Sequence, residues 1–146
     1  MARATKTVAD EIAMRCVAAR TRLLSRVVSS LYDDALRPVG LTSAQMTILT
    51  ALEHSGGAQP AQLCETLKLD KSTLSRNADR MERNGWLKRE DGPDARSHKL
   101  RLTGKGRKRL EMAVPRWRAA QAEAEALLGR PGLESVVRVT KRLRGF

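Results

Sequence analysis

Residues 60–84 carry the pattern that most limits what this chain can become. Pro60 suits a first helical position, where its missing N–H is not needed. Leu63, Cys64 and Leu67 follow it at helical spacing. Three residues, Lys68-Leu69-Asp70, separate this short helix from a second over about 71–84. Asp70 stands where an N-cap is wanted, and Asn84-Gly85 is a stop signal. Leu74, Ala78 and Met81 make the second helix's apolar stripe, whereas its first two turns display Lys71, Ser72, Thr73, Ser75 and Arg76. A short helix, a three-residue turn and a capped helix with a polar front describe a helix-turn-helix. Two short strand patterns come next, Trp86-Leu87-Lys88-Arg89 and His98-Lys99-Leu100-Arg101-Leu102, around the turn formers of 91–97. A hairpin directly after the second helix is a wing.

The flanks read as long helices. Val8, Ile12, Cys16, Ala19, Leu23, Val27 and Leu31 recur at steps of three and four, predicting one helix over about 8–35 that stops at Pro38-Val39-Gly40. Thr42 and Gln45 form a capping box for a helix over about 43–54, with Met46, Leu49 and Leu52 on one side. That helix is broken by Ser55-Gly56-Gly57. Thr103 caps a helix over about 104–128 with Leu110, Val114, Trp117, Gln121, Ala124 and Leu128 along one face. Pro115 should bend it, residues 129–132 should break it, and a last helix should run over about 133–144. The fold class is mainly α with a small β-hairpin: one domain over 1–146, a winged helix-turn-helix at about 40–105 flanked by helices at about 8–37 and 106–146. Both flanks carry more apolar surface than one chain can cover. A homodimer is therefore expected.

Charge narrows the partner. Lys plus Arg number 28 against 16 Asp plus Glu, a net +12, and residues 68–109 alone hold +8 of it. Double-stranded DNA carries one negative charge per ~1.7 Å of axis, and a concentrated basic face releases its counterions. Other classes fall away. No apolar run approaches the roughly 20 residues that span a bilayer, and the N-terminus lacks the apolar core of a secretory signal. Cys16 and Cys64 are too few for a disulfide framework and read as packed residues of a cytoplasmic protein. With His54 and His98 they give no metal spacing, and there is no phosphate-cradling glycine loop or nucleophile elbow. No enzyme activity, metal or cofactor is expected.

Individual roles follow from side-chain chemistry. Ser72, Thr73 and Ser75 are small enough to let a helix end approach base edges, and Arg76 can make two hydrogen bonds to a guanine edge. Arg80, one turn later, suits a phosphate. Arg96 in the wing suits a narrow minor groove, and Asp94 fixes the turn beside it. The competing reading is an architectural or RNA-binding basic winged-helix protein. Only four aromatic residues exist in the chain, so the stacking platform of single-strand RNA readers is nearly absent from the basic face.

Together these segments resemble the MarR family of winged helix-turn-helix regulators. The resemblance is carried by Gly40-Leu41-Thr42 with Gln45, the run LDKSTLSRNADRMERNGWL from Leu69 to Leu87, the wing Asp94-Ala95-Arg96-Ser97, and LTGKG from Leu102 to Gly106. It implies a homodimer joined through the first and last helices, recognition helices in successive major grooves, and repression relieved by a small aromatic or phenolic effector. It carries base contact to Ser72, Thr73, Ser75 and Arg76, minor-groove contact to Arg96 and wing orientation to Asp94. It also implies an effector pocket between the dimerisation helices and the winged part, lined here by Arg22, Met46 and Trp117.

Overall fold

The computed structural model describes residues 7–94 and 97–143. Among them the chain forms α1 Val8–Arg15, α2 Val17–Leu36, α3 Ser43–Ser55, α4 Pro60–Leu67, α5 Lys71–Arg83, β1 Leu87–Asp91, β2 His98–Leu102 and α6 Gly104–Arg142. The buried apolar cluster lies under the segment from Leu36 to Ala113, with α3 at its centre through Ile48, Leu49 and Leu52. Thr42 and Gln45 start α3 by a reciprocal cap. The Gln45 amide donates to Thr42 Oγ1 at 3.2 Å, and the Thr42 amide donates to Gln45 Oε1 at 3.1 Å.

The helix pair α4–α5 and the hairpin β1–β2 stand where the sequence puts them. α5 ends in a left-handed stop: Gly85 has φ +73°, its N–H donates to Glu82 and that of Trp86 to Met81. The strands are antiparallel, with Leu87 opposite Leu102 and Asp91 opposite His98, and Leu87, Leu100 and Leu102 face the core. One pairing was not foreseen. Ala58 exchanges both backbone hydrogen bonds with Leu100, at 3.1 and 2.9 Å, and so adds a third element to the hairpin edge. Gly57 permits this, because its φ is +111° and a Cβ there would lie 2.7 Å from Arg101 Cγ.

The flanks depart from expectation in three ways. The helix expected over 8–35 is two helices. Cys16 has ψ 108° and ends α1 while starting α2, although neither glycine nor proline marks the spot. α1 buries no residue, and its tie to α2 is polar, the Arg20 guanidinium donating to the Met14 carbonyl. Cys16 is accordingly half-buried at a junction rather than packed in a core. Second, α6 runs through Pro115 with helical backbone angles, and the break expected over 129–132 shrinks to Gly129, at φ 63° and ψ 167°. Pro131 falls in the first turn after that kink, where no N–H is missed, so helix resumes before 133. Third, of the row expected along α6, Ala124 is buried and Leu110 packs against the core, but the other buried positions are Gly106, Ala113 and Ala120 rather than Trp117 or Leu128. Small residues let α6 approach its neighbours, α2 above all, and leave the larger side chains outside.

Candidate nucleic-acid interface

Asp70 organises the front of α5. Its carboxylate accepts from the Thr73 amide at 2.8 Å, the Ser72 hydroxyl at 2.6 Å and the Thr73 hydroxyl at 2.6 Å. The Ser72 and Thr73 hydroxyls, with the Thr73 amide, hold the Asp70 carboxyl well below the usual carboxylate range. Two of the three small hydroxyls read as base contacts are therefore first of all parts of the cap. Each has its hydrogen turned inward and its oxygen left as an acceptor.

This cap titrates. Because the folded pKa lies below the ordinary 3.8, its contribution is complete above that value and disappears as the pH falls through the folded one. Asp70→Ala should lower Tm by a few degrees at neutral pH. The gap from the wild type should narrow in thermal melts taken from about pH 5 to about pH 2. A gap independent of pH over that window would show that the charged cap is not what the residue supplies.

Helical phase spreads the candidates over three faces. Ser72 and Arg76 share the exposed front ridge, and Arg76 reaches back to Thr73 Oγ1 at 3.5 Å. Ser75 turns toward the hairpin, on the wall of a groove shared with Lys71, Arg89 and His98. Thr73 turns the opposite way, toward α2 and α6. Arg80 is exposed on that second side and shares a shallow groove with Arg37 and Thr42, at the N-terminus of α3. In the wing, Asp94 acts through its main chain: its carbonyl accepts from the Ser97 N–H at 2.9 Å and the Ser97 hydroxyl at 3.1 Å. Arg96, with Ala95, lies outside the described residues.

The charge of this face is partly internal. Arg89 of β1 is clamped by Asp79, at 2.6 Å, and by Glu82, both from α5. Glu90 takes Lys88 at 2.7 Å and Arg101 at 2.6 Å, and Arg107 pairs with Glu53 at 3.0 Å. Arg109 lies 5.2 Å over the Trp86 ring and donates to the Val39 carbonyl at 2.8 Å. Arg89 fastens the hairpin to α5, Glu90 ties its two strands, and Arg107 and Arg109 fasten α6 to α3, Val39 and Trp86. Among the described residues, Lys71, Arg76, Arg80, Arg83 and Lys99 have no carboxylate within ion-pair distance, and they form the open positive surface. Sequence reasoning missed the Arg89 clamp; its signal was two acids, Asp79 and Glu82, three residues apart on the otherwise basic α5.

Behind α5 lies a cavity of about 720 Å³ between α2, α3, α5 and α6. Met46 and Trp117 are on its wall. Arg22 is not: it is exposed on α2, two turns before the wall residue Ser29, roughly 10 Å along the helix axis. Tyr32, Thr73, Asn77 and Gln121 join the wall without having been foreseen. Among the described residues there is no cluster of potential metal ligands and no helix long and apolar enough to cross a membrane.

A family model described as MarR family matches residues 39–97. The HTH-type transcriptional regulator YwoH of Bacillus subtilis is 30% identical over 87 residues, which cover 60% of this chain and 64% of that protein. The transcriptional repressor MprA of Escherichia coli is 31% identical over 101 residues, 65% of this chain and 57% of that protein. The match thus spans between half and two-thirds of the length of these curated relatives. A crystal structure of the M. tuberculosis transcriptional regulator MosR in complex with DNA superposes with a TM-score of 0.76 at 34% identity. That alignment covers 88% of this chain and 96% of that one.

Proposed function

The chain belongs to the MarR family, and on that premise we propose that it is a cytoplasmic, sequence-specific double-stranded-DNA-binding transcriptional regulator. It acts as a homodimeric repressor on a pseudopalindromic operator. The observation that carries this reading is the solvent-facing front of α5. Ser72 and Arg76 form an exposed ridge, Asp70 fixes its first turn, and Lys71, Arg80 and Arg83 supply open charge around it. A similar regulator has been crystallised with DNA, and a relative named as a repressor supports that direction of control. Ser72, Ser75 and Arg76 read bases, while Thr73, read from the sequence as a base contact, serves the Asp70 cap that holds them; Arg80 holds phosphate, and Arg96, with Asp94 beside it, enters the flanking minor groove. The winged part at about 40–105 reads DNA, and the helices on either side join two copies. The cavity at Met46 and Trp117 receives a small aromatic or phenolic effector that lowers operator affinity.

Selection of bound duplexes from a random library tests this. Enrichment of one inverted repeat is the expected outcome. Equal retention of all duplexes, or preference for RNA, would overturn sequence-specific reading in favour of an architectural or RNA-binding role. With the operator in hand, Arg76→Ala should flatten the preference at one symmetric pair of positions, by roughly 1–3 kcal/mol of discrimination. Arg80→Ala should weaken all duplexes alike and reduce the salt slope by about one ion. Titrations of each variant against operator mutants at several salt concentrations check both.

A further inference from the structure

The hairpin is fastened from both sides at a single rung. Arg89 of β1 stands opposite Leu100 of β2. On the free edge of β2, Leu100 exchanges both backbone hydrogen bonds with Ala58. From β1, the Arg89 guanidinium donates to Asp79 at 2.6 Å and to Glu82. Those two acids stand about one turn apart on α5, and the planar fork of an arginine can serve both at once.

Beyond that rung the wing is held only by itself. Among the described residues, the hydrogen bonds and ion pairs of residues 90–99 all stay within the hairpin. Glu90 takes Lys88 and Arg101, Gly92 donates to Ser97, and Ser97 donates to Asp94. The hairpin and α5 meanwhile part around an open groove of about 490 Å³, with Lys71 and Ser75 on the helix side and Ser97 and His98 on the wing side. Asp94 is five residues past Arg89, a reach of up to about 17 Å at ~3.4 Å per residue. A tilt of about 10° at the rung therefore moves the wing tip by about 3 Å, half the ~6 Å width of a minor groove.

We propose that Arg89 is a positioning residue for DNA reading: by locking β1 to Asp79 and Glu82 it sets the angle between α5 and the wing, so that a major groove and its flanking minor groove are engaged together. This rests on the two-groove reading proposed above. The open groove then takes the DNA strand that separates the two contacts. Arg89 acts through the hairpin, since its fork is already taken up by the two carboxylates. The three side chains are each more than a third exposed, so the clamp adds little to overall stability. Orientation needs less than folding does: a bias worth one exposed ion pair changes the population of a competent angle by up to about fivefold.

The test uses the full chain and two duplexes that share the core enriched by selection, one flanked by A/T tracts and one by G/C. The wild type should favour the A/T-flanked duplex by about tenfold, through the narrow minor groove. Arg89→Met, which keeps the stem and removes the fork, should cut that preference by about fivefold. Its preference among core variants should be unchanged, and its Tm should stay within about two degrees of the wild type. Asp79→Asn combined with Glu82→Gln removes the other half of the clamp and should cut the flank preference by the same factor. The two variants change the net charge in opposite directions, by −1 and by +2. If the flank preference falls in the first and rises in the second, Arg89 acts as a charge and the proposal is overturned. It is equally overturned if either variant keeps the flank preference within twofold of the wild type, if core and flank preferences fall together, or if the wild type reads the core without regard to the flank. A wild type that enriches no core at all would instead defeat the sequence-specific reading, and this inference with it.

Discussion

Gly106→Ala should lower Tm by roughly five to ten degrees. A Cβ at Gly106 would lie 2.0 Å from the Trp86 carbonyl oxygen and 3.0 Å from the carbonyl carbon. That oxygen cannot retreat cheaply, because it accepts from the Thr103 N–H at 3.0 Å and from the Thr103 hydroxyl at 3.1 Å. Thr103 is in turn the cap of α6, accepting from the Gly106 amide at 3.0 Å. Relief of the clash must therefore displace the start of α6 or open the junction between α5 and β1. Overpacking of this kind costs about 1–3 kcal/mol and more when the obstacle is backbone, and each kcal/mol moves Tm by about 2–4 degrees in a chain near 150 residues. Gly104→Ala is the control, since no atom lies within 4 Å of its Cβ position. Thermal circular dichroism of both variants decides the matter. A Gly106→Ala melt within two degrees of the wild type would disprove the close approach.

Charging the outer helices should separate the proposed dimer. Among the described residues, the large apolar side chains that stand exposed, from Val8 and Ile12 through Leu23 to Val137 and Leu143, all lie on α1, α2, or α6 and the residue after it, and none lies between 37 and 103. Ile12 is 59% exposed and Val17 75%. Confinement of this surface to three helices is what an interface between copies requires. Each copy carries +12, but that repulsion is screened over about 10 Å at ordinary ionic strength. The wild type should therefore sediment as one species of twice the 16.2 kDa chain at micromolar concentration. Ile12→Asp combined with Val137→Asp should shift it to the single-chain mass with the fold retained. Operator affinity should fall by roughly a hundredfold or more, because two half-sites would no longer be bound as one event. A folded, stable single chain in the wild type would refute the dimer.

The parts legible in the sequence are those governed by local chemistry. Asp70, Thr42 and Thr103 each cap the helix expected of them, and Gly85 ends α5 as its dihedral preference dictates. Leu74, Ala78 and Met81 fall on the buried face because a 3.6-residue period leaves no other choice. What stayed hidden is set by contacts between distant residues. The Ala58–Leu100 bridge, the Arg89 clamp and the Tyr32–Gln121 hydrogen bond each join elements whose spacing in sequence carries no period. The buried row of α6 was misread for a different reason. Hydrophobic weight pointed to Trp117 and Leu128 beside Ala124, whereas close packing selects Ala113 and Ala120 with it. The break at Cys16 has no local signature at all. For the candidate site, the front ridge of α5 was legible from its composition. That Ser72 and Thr73 are already engaged with Asp70 was not, because a hydroxyl's partner is a matter of rotamer rather than of pattern.

Gly129 turns the end of α6 into a lever. One left-handed residue, at φ 63°, sets the direction of the thirteen residues that follow it to Arg142. At 1.5 Å per residue they make an arm of about 20 Å. Rotating that arm by only 10° sweeps its tip through about 3.4 Å, the rise of one base pair along a DNA strand. Two chains joined through such arms would have the distance between their reading heads geared to a single backbone torsion. A residue with a Cβ, drawn toward right-handed angles at this point, would re-gear the pair to a half-site spacing one base pair longer or shorter.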